Sequence, residues 1–333
     1  MATSPIEGVN LGGWLILEPW MTPSLFRGTG AVDERSLMMT PDAGDKIQRH
    51  RTSFMTEEDW SWLKANSVGY VRLPVGYWVL NDDKPFLNAR RELDWAFEMA
   101  QKYDIKILLD FHGLKGSQNG KVHSGDTQRM DWLAYYEENL SILTELAGRY
   151  CDSPALWGLE IINEPHVFGH YFALLRFYRE AYDRLCSILR PGTIVVFQDG
   201  FLPPFFSGAL RVRSDYPVIM DTHLYLIFPK LLANLKPAAY DRIRGWLYCL
   251  LIRLVSLPQP VMVGEWSSVL PQPMFNRRPI EEHREMLLQT IARQRRMFHR
   301  SVATFYWNYK TEGRGMYNFR SLVEDNGLTF NDK

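Results

Sequence analysis

Eight short apolar runs alternate with helical stretches along 333 residues, and this alternation constrains the fold more than any other feature. The runs fall at 6–10, 68–73, 105–111, 156–162, 193–197, 218–222, 261–264 and 303–307. Several are rich in Val, Ile and Leu without polar alternation, as strands are when a parallel sheet is covered on both faces. Helical patterns lie between them at 56–66, 89–103, 127–150, 171–189, 230–256 and 280–299. The first opens "TEED", a Thr56 cap with Asp59 three residues on. The third carries Trp132, Leu133, Tyr136, Leu140, Leu143 and Leu146 at near-helical spacing, the signature of a core-facing stripe. The fifth crossover, "LPPFFSGALRV", is a weak helix, and the last helix, near 317–323, is short. This order predicts an α/β fold, a (β/α)8 TIM barrel forming one domain over residues 1–333. An open doubly wound sheet is disfavoured, because "GVNLGGW" lacks the G-x-G-x-x-G spacing and no clear helix follows it.

Composition narrows the function. An apolar fraction of 46% suffices for one large core. Net charge is zero, so nothing calls for a nucleic-acid partner, which clustered Lys and Arg would recruit. Cys151, Cys186 and Cys249 are odd in number and far apart, and read as free thiols rather than as disulfides or a CxxC metal site. The start "MATSPIEGVN" has neither a basic nor an apolar signal region, so the expected compartment is the cytoplasm. The most apolar stretch, "GWLYCLLIRLVSL" at 245–257, is shorter than the ~20 residues of a membrane span. It is read as a mostly buried helix, with contact at a lipid surface as the alternative.

In a barrel of this type, catalytic groups sit at the C-terminal ends of the strands. The expected ends carry Arg72 in "VRLPV", Asp110 and His112 in "LDFHG", and Asn163 and Glu164 in "IINEP". They continue with His223 and Tyr225 in "DTHLY", Glu265 and Trp266 in "VGEW", and Trp307 in "FYWNYK"; Trp14 and Glu18 stand in the early "GWLILEPW". Each alone has a structural explanation: Arg72 as an ion pair, either histidine as a satisfied core residue, Asp110 as a turn cap. Jointly they place Glu164 and Glu265 across the mouth from one another. Cleavage of a glycosidic bond needs such a pair, one carboxyl protonating the leaving oxygen and the other attacking the anomeric carbon or activating water. The acid's pKa must then rise while the nucleophile stays ionised. Arg72 and Tyr225 are suited to hold Glu265 charged, Asn163 to bind a sugar hydroxyl, and the histidines and Trp307 to wall the pocket. The reading calls for no cofactor and no metal.

The ordered set "RLPV", "DFHG", "NEP", "HLY", "GEW" and "YWNYKTE" resembles glycoside hydrolase family 5. More narrowly, "GVNLGGWLILEPW", "HGLKGSQNG" and "YWNYKTEGRGMYNFRSLVEDNGL" resemble its exo-β-1,3-glucanases, the glucan β-1,3-glucosidases. The likeness runs from about residue 6 to 330. It implies a retaining hydrolase, with Glu164 as general acid/base and Glu265 as nucleophile. It also implies a pocket of Arg72, His112, Asn163, His223, Tyr225 and Trp307, with Glu18 gripping the non-reducing-end sugar and Phe228 clamping the next. The chain departs after "GSQNG": where the exo-glucanases usually carry Phe-Asp-Asn, it has Lys121, Val122 and His123. The expected substrate is a β-linked oligosaccharide or glucoside. Lipid- or aryl-linked glucosides, transglycosylation and a non-catalytic carbohydrate-binding barrel are the alternatives.

Overall fold

The computed structural model describes residues 4–210, 212–226, 237–270 and 280–328, without the side chains of 237–242 and 280–281. Phe228, together with Ile227 and the start of the helix expected at 230–256, lies outside the described residues. Eight parallel strands close into a barrel in sequence order: β1 (Ile6–Asn10), β2 (Tyr70–Gly76), β3 (Lys106–Gly113), β4 (Leu156–Glu160), β5 (Ile194–Gln198), β6 (Val218–His223), β7 (Val261–Trp266) and β8 (Ala303–Tyr306). β1 pairs with β8 through Ile6 to Ala303 and Val9 to Tyr306, which leaves no free sheet edge. Several ends moved. β2 runs on to Gly76, while β4 stops at Glu160, so Asn163 and Glu164 lie in the loop beyond it.

Side chains two apart on a strand share a face, and this alternation stacks two layers inside the barrel. Leu108, Val196, Ile219, Met262 and Phe305 pack together as an apolar plug. Two residues further along their strands stand Asp110, Gln198, Asp221 and Gly264, with Asn10, Arg72 and Glu160 beside them in a polar layer. Each buried aliphatic of the plug contributes about 1.5–3 kcal/mol, which offsets part of the cost of dehydrating the charges above it. Gly264 is required there, since a Cβ would meet Asp221 Oδ2 at 2.0 Å.

The helices form the outer ring. Glu57–Ala65 begins at Thr56 as expected, with the Asp59 carboxylate accepting from the Thr56 amide at 2.8 Å and its hydroxyl at 3.0 Å. The stretch expected as one helix at 127–150 is a short 3₁₀ turn, Trp132–Tyr135, and a helix, Tyr136–Tyr150. Trp132, Leu140, Leu143 and Leu146 are fully buried, but Leu133 is exposed because the tighter turn rotates it off the stripe. A helix at Ala43–Phe54, between β1 and β2, was not expected from the sequence.

The segment 245–257 corrects its reading. It belongs to the helix Pro237–Val255, yet Gly245, Ile252 and Val255 are its buried positions, while Trp246, Leu250, Leu254 and Leu257 face outward, Trp246 by 64%. A helix on a barrel buries one stripe only. Here Gly245 makes that stripe close, a Cβ at this position falling 2.5 Å from Met297 of the neighbouring helix Ile280–Met297. No helix among the described residues is long and apolar enough to cross a membrane.

Candidate active site

The C-terminal mouth of the barrel holds a pocket of about 460 Å³, lined in part by Glu18, His112, Asn163, Glu164, Tyr225, Glu265 and Trp307. A larger depression of about 890 Å³ lies at the opposite end, around Ile6, Tyr70 and Thr304. It contains no pair of facing carboxylates and sits away from the strand ends that place the polar layer.

Arg72 organises the floor. Nε donates to Glu160 Oε2 at 2.8 Å; Nη1 donates to Asn10 Oδ1 and to Glu265 Oε1, both at 3.0 Å. Nη2 reaches Asn163 Oδ1 at 2.8 Å and Asp110 Oδ2 at 2.9 Å. Four hydrogen bonds and the ion pair with Asp110 fix the plane of the guanidinium and compensate its charge though it is completely buried. Three carboxylates around one guanidinium hold it well above the ordinary arginine value, against the opposing effect of burial.

Two acids meet above this floor. Glu265, in β7, receives Tyr225 Oη on Oε2 at 2.8 Å and Arg72 on Oε1. Tyr225 is itself tied down, its carbonyl accepting from Tyr248 Oη at 3.0 Å and Arg244 Nη2 at 3.1 Å. Glu164 has a left-handed backbone, φ 40°, which is uncommon for a side-chain-bearing residue and aims its carboxyl into the mouth. His223 Nδ1 lies 2.8 Å from Glu164 Oε1 and 3.5 Å from Glu265 Oε2, while its Nε2 lies 3.1 Å from Asp221 Oδ2. One oxygen of Glu164 and one of Glu265 stand within 4.8 Å of each other.

The electrostatics differ from expectation at both acids, Glu164 being lowered and Glu265 raised. Burial by itself raises the Glu164 carboxyl, but His123, His223 and Lys121 outweigh burial and hold it well below the ordinary carboxylate range. The sequence reading had this acid raised. Burial pushes His223 down, yet Glu265 and Asp221 carry it well above the usual imidazole value, so it is an imidazolium. Burial takes His123 down to about 4, so at neutral pH it faces Glu164 uncharged and the depression rests on His223 and Lys121. Burial raises Glu265, and His223 and Arg72 pull it back without cancelling the rise.

The other described residues expected in the site also line this pocket or stand beside it. Asn163 Oδ1 is spent on Arg72, leaving Nδ2 to donate, with His112 Nε2 3.3 Å away. His112 Nδ1 lies 2.6 Å from Asp110 Oδ2, and its ring is parallel to Trp307 at 5.9 Å. Glu18 accepts from Trp20 Nε1 at 2.9 Å, and burial raises its carboxyl to about 7. Trp14 and Trp266 are fully buried in the core and contribute nothing to the pocket. Asn10, Glu160 and Asp221 went unnoticed in the sequence, although each is a polar residue in an apolar strand, two residues from the next inward position.

Two groups of donors among the described residues are compact enough for a cation: Glu160, Asp221 and His223, and Glu164, His223 and Glu265. Both need His223, whose ring nitrogens already face Asp221 and Glu164; an imidazolium has no lone pair for a metal. The sequence also contains one H-x-x-x-H spacing, His166 and His170, which corrects the expectation that no such pair is present. These residues lie in a loop with rings 6.0 Å apart, not on one helix face.

A closed (β/α)8 barrel with two carboxylates facing each other at its C-terminal mouth has the architecture of a carbohydrate-cleaving barrel. Residues 46–312 match the family model described as Cellulase (glycosyl hydrolase family 5), and the chain belongs to that family. It is 33% identical over 279 residues to the "Probable glucan 1,3-beta-glucosidase A" of Aspergillus niger, a match spanning 80% of this chain and 65% of that protein. It is 32% identical over 286 residues to the "Glucan 1,3-beta-glucosidase" of Blumeria graminis, covering 79% of this chain and 64% of that one. The chain thus spans slightly less than two thirds of these relatives. Among solved structures, the rutinosidase of Aspergillus niger superposes with a TM-score of 0.80 at 21% identity, over 97% of this chain and 98% of that one. An endoglucanase of Thermotoga maritima superposes at 0.58 with 15% identity, over 96% and 94%. At such identities these two superpositions speak to the fold.

Proposed function

We propose that the chain is a retaining β-glucosidase that removes glucose from the non-reducing end of β-glucans or β-glucosides by double displacement. The observation that carries this reading is the carboxylate oxygen of Glu164 within 4.8 Å of that of Glu265. Retaining enzymes hold their two carboxyls about 5–5.5 Å apart, whereas inverting ones leave about 6.5–9.5 Å for a water. Glu265 attacks the anomeric carbon. Arg72 and Tyr225 orient its two oxygens, and His223 and Arg72 offset part of the rise that burial imposes on it. Glu164 assists departure of basic aglycones from its minor protonated form, then in its ionised form takes a proton from the water that releases glucose from Glu265. Asn163 Nδ2, with one N–H toward His112 Nε2, has a second N–H for the sugar hydroxyl next to the reacting carbon. The names of the relatives, glucan 1,3-beta-glucosidases, agree with a β-glucose-releasing activity.

Exo action is supported by Glu18, Trp20 and Tyr317, which line the pocket together, with the Trp20 and Tyr317 rings 4.9 Å apart. A sugar end with two adjacent hydroxyls fits the Glu18 carboxylate. Glu18→Gln should raise KM for an aryl β-glucoside by about 10-fold or more, on the scale of one charge-assisted hydrogen bond, with a smaller change in kcat. An unchanged KM would remove Glu18 from the sugar site.

The mechanism is tested directly by Glu164→Ala. Substrates with poor leaving groups should slow by roughly 10²–10⁴ and those with good leaving groups much less in the glycosylation step. Equal slowing of both would count against proton donation by Glu164. Proton NMR of the first-released sugar should give β-glucose; initial α-glucose would contradict retention.

A further inference from the structure

Lys121 and Phe201 flank the outer side of Glu164. The Lys121 ammonium lies 3.6 Å from Glu164 Oε2 and 5.3 Å from the centre of the Phe201 ring, and both residues line the pocket. An acid/base carboxyl sits against the oxygen that joins sugar to aglycone. Whatever flanks its outer oxygen therefore flanks the aglycone.

The other groups around Glu164 are already committed. Oε1 is held by His223 at 2.8 Å. Oε2 faces His123 Nε2 at 3.3 Å, but that nitrogen is an acceptor. Asn119 Oδ1 accepts from the Lys121 amide at 2.9 Å, which turns its Nδ2 toward the Glu164 carbonyl and His123 Nε2, each at 2.8 Å. Glu265, Glu18 and His112 face Glu164 from across the pocket. Among the described residues, Lys121 is then the cation at the outer oxygen, half exposed and free to shift toward a ligand.

We propose that Lys121 stabilises a departing aglycone anion, so that β-glucosides of phenols, rather than of a second sugar, are the preferred substrates. This rests on the retaining-glycosidase reading above. A sugar hydroxyl leaves as a strongly basic alkoxide unless it receives a proton, and the cations beside Glu164 make that proton scarce. A phenol is far more acidic, with a pKa of about 10 like that of tyrosine. As Glu265 bonds to the anomeric carbon, the bond to the phenol oxygen breaks and its electron pair goes to that oxygen, where the ammonium meets the charge. Phe201 offers a ring face to the aryl group. Water then attacks the glycosyl-enzyme, Glu164 in its ionised form takes the water's proton, and that proton passes to the phenolate. The sum is glucoside plus water to glucose plus phenol.

The test compares kcat/KM for phenyl β-glucoside, 4-nitrophenyl β-glucoside, laminaribiose and cellobiose in the wild type, Lys121→Met and Lys121→Arg. Wild type should favour the phenyl glucoside over both disaccharides by about 100-fold, the scale of one well-placed charge on a developing anion. Lys121→Met should lose most of that preference and show a steeper dependence on phenol acidity, while Lys121→Arg keeps it. Loss of activity on aryl and sugar aglycones in equal proportion would mark Lys121 as merely structural and overturn the proposal. So would a wild type that cleaves a disaccharide as readily as the phenyl glucoside, although that result leaves the glycosidase reading intact. No cleavage of any β-glucoside would overturn both.

Discussion

Glu265→Gln should lower kcat on an aryl β-glucoside by about 10⁴–10⁶, the scale seen when a covalent nucleophile is removed. The amide is nearly isosteric, so Tyr225 Oη and Arg72 Nη1 keep a partner, but it cannot bond to the anomeric carbon. Sugar binding should survive, since Glu18, Asn163 and Trp307 are untouched. Steady-state kinetics and titration of glucose binding check the two halves separately. A mutant retaining more than about a tenth of wild-type turnover would transfer the nucleophile's role elsewhere.

Arg72→Met is expected to have the largest effect on stability. It removes the cation shared by Asp110, Glu160 and Glu265, all buried, and removing one member of a buried ion pair costs about 3–5 kcal/mol. The loss should depend on pH. Burial already raises Glu160 and Glu265, and without the guanidinium less opposes it, so the folded mutant binds more protons than the unfolded chain. Its stability therefore rises as pH falls. Urea unfolding at pH 8 and pH 5 should show the deficit relative to wild type shrinking at the lower pH. A deficit under about 1 kcal/mol at pH 8 would mean that Arg72 does not hold a buried charge pair in the native protein. Arg72→Lys should not restore activity, because an ammonium cannot reproduce four hydrogen bonds directed in one plane.

Much of the barrel was legible because its signals are local. Apolar runs of four to eight residues mark strands buried on both faces, and the order of runs and helices dictates the crossover topology. Helix ends and segment 245–257 were read less well. Whether an apolar helix is buried depends on which neighbour covers it, and Trp246 and Leu257 have none among the described residues. The same limit explains Leu133, whose exposure follows from a single turn of tighter helix.

In the site, residue types and strand-end positions were enough to bring Arg72, His112, Asn163, Glu164, His223, Tyr225, Glu265 and Trp307 together, whereas Glu18, well past the end of β1, was expected there only from the family resemblance. They were not enough for the polar layer beneath. Asn10, Glu160 and Asp221 acquire meaning only through Arg72 and His223, from strands 62 and 88 residues away in the case of Arg72.

The amino-acid order alone dictated the alternation, the closed barrel and the two glutamates at its mouth, because periodicity and strand-end chemistry act over a few residues. The protonation pattern was decided by the folded chain. A carboxyl's charge depends on what stands within a few ångströms of it, and Lys121, His123 and His223 reach Glu164 only once the loop after β3 and the end of β6 are brought side by side.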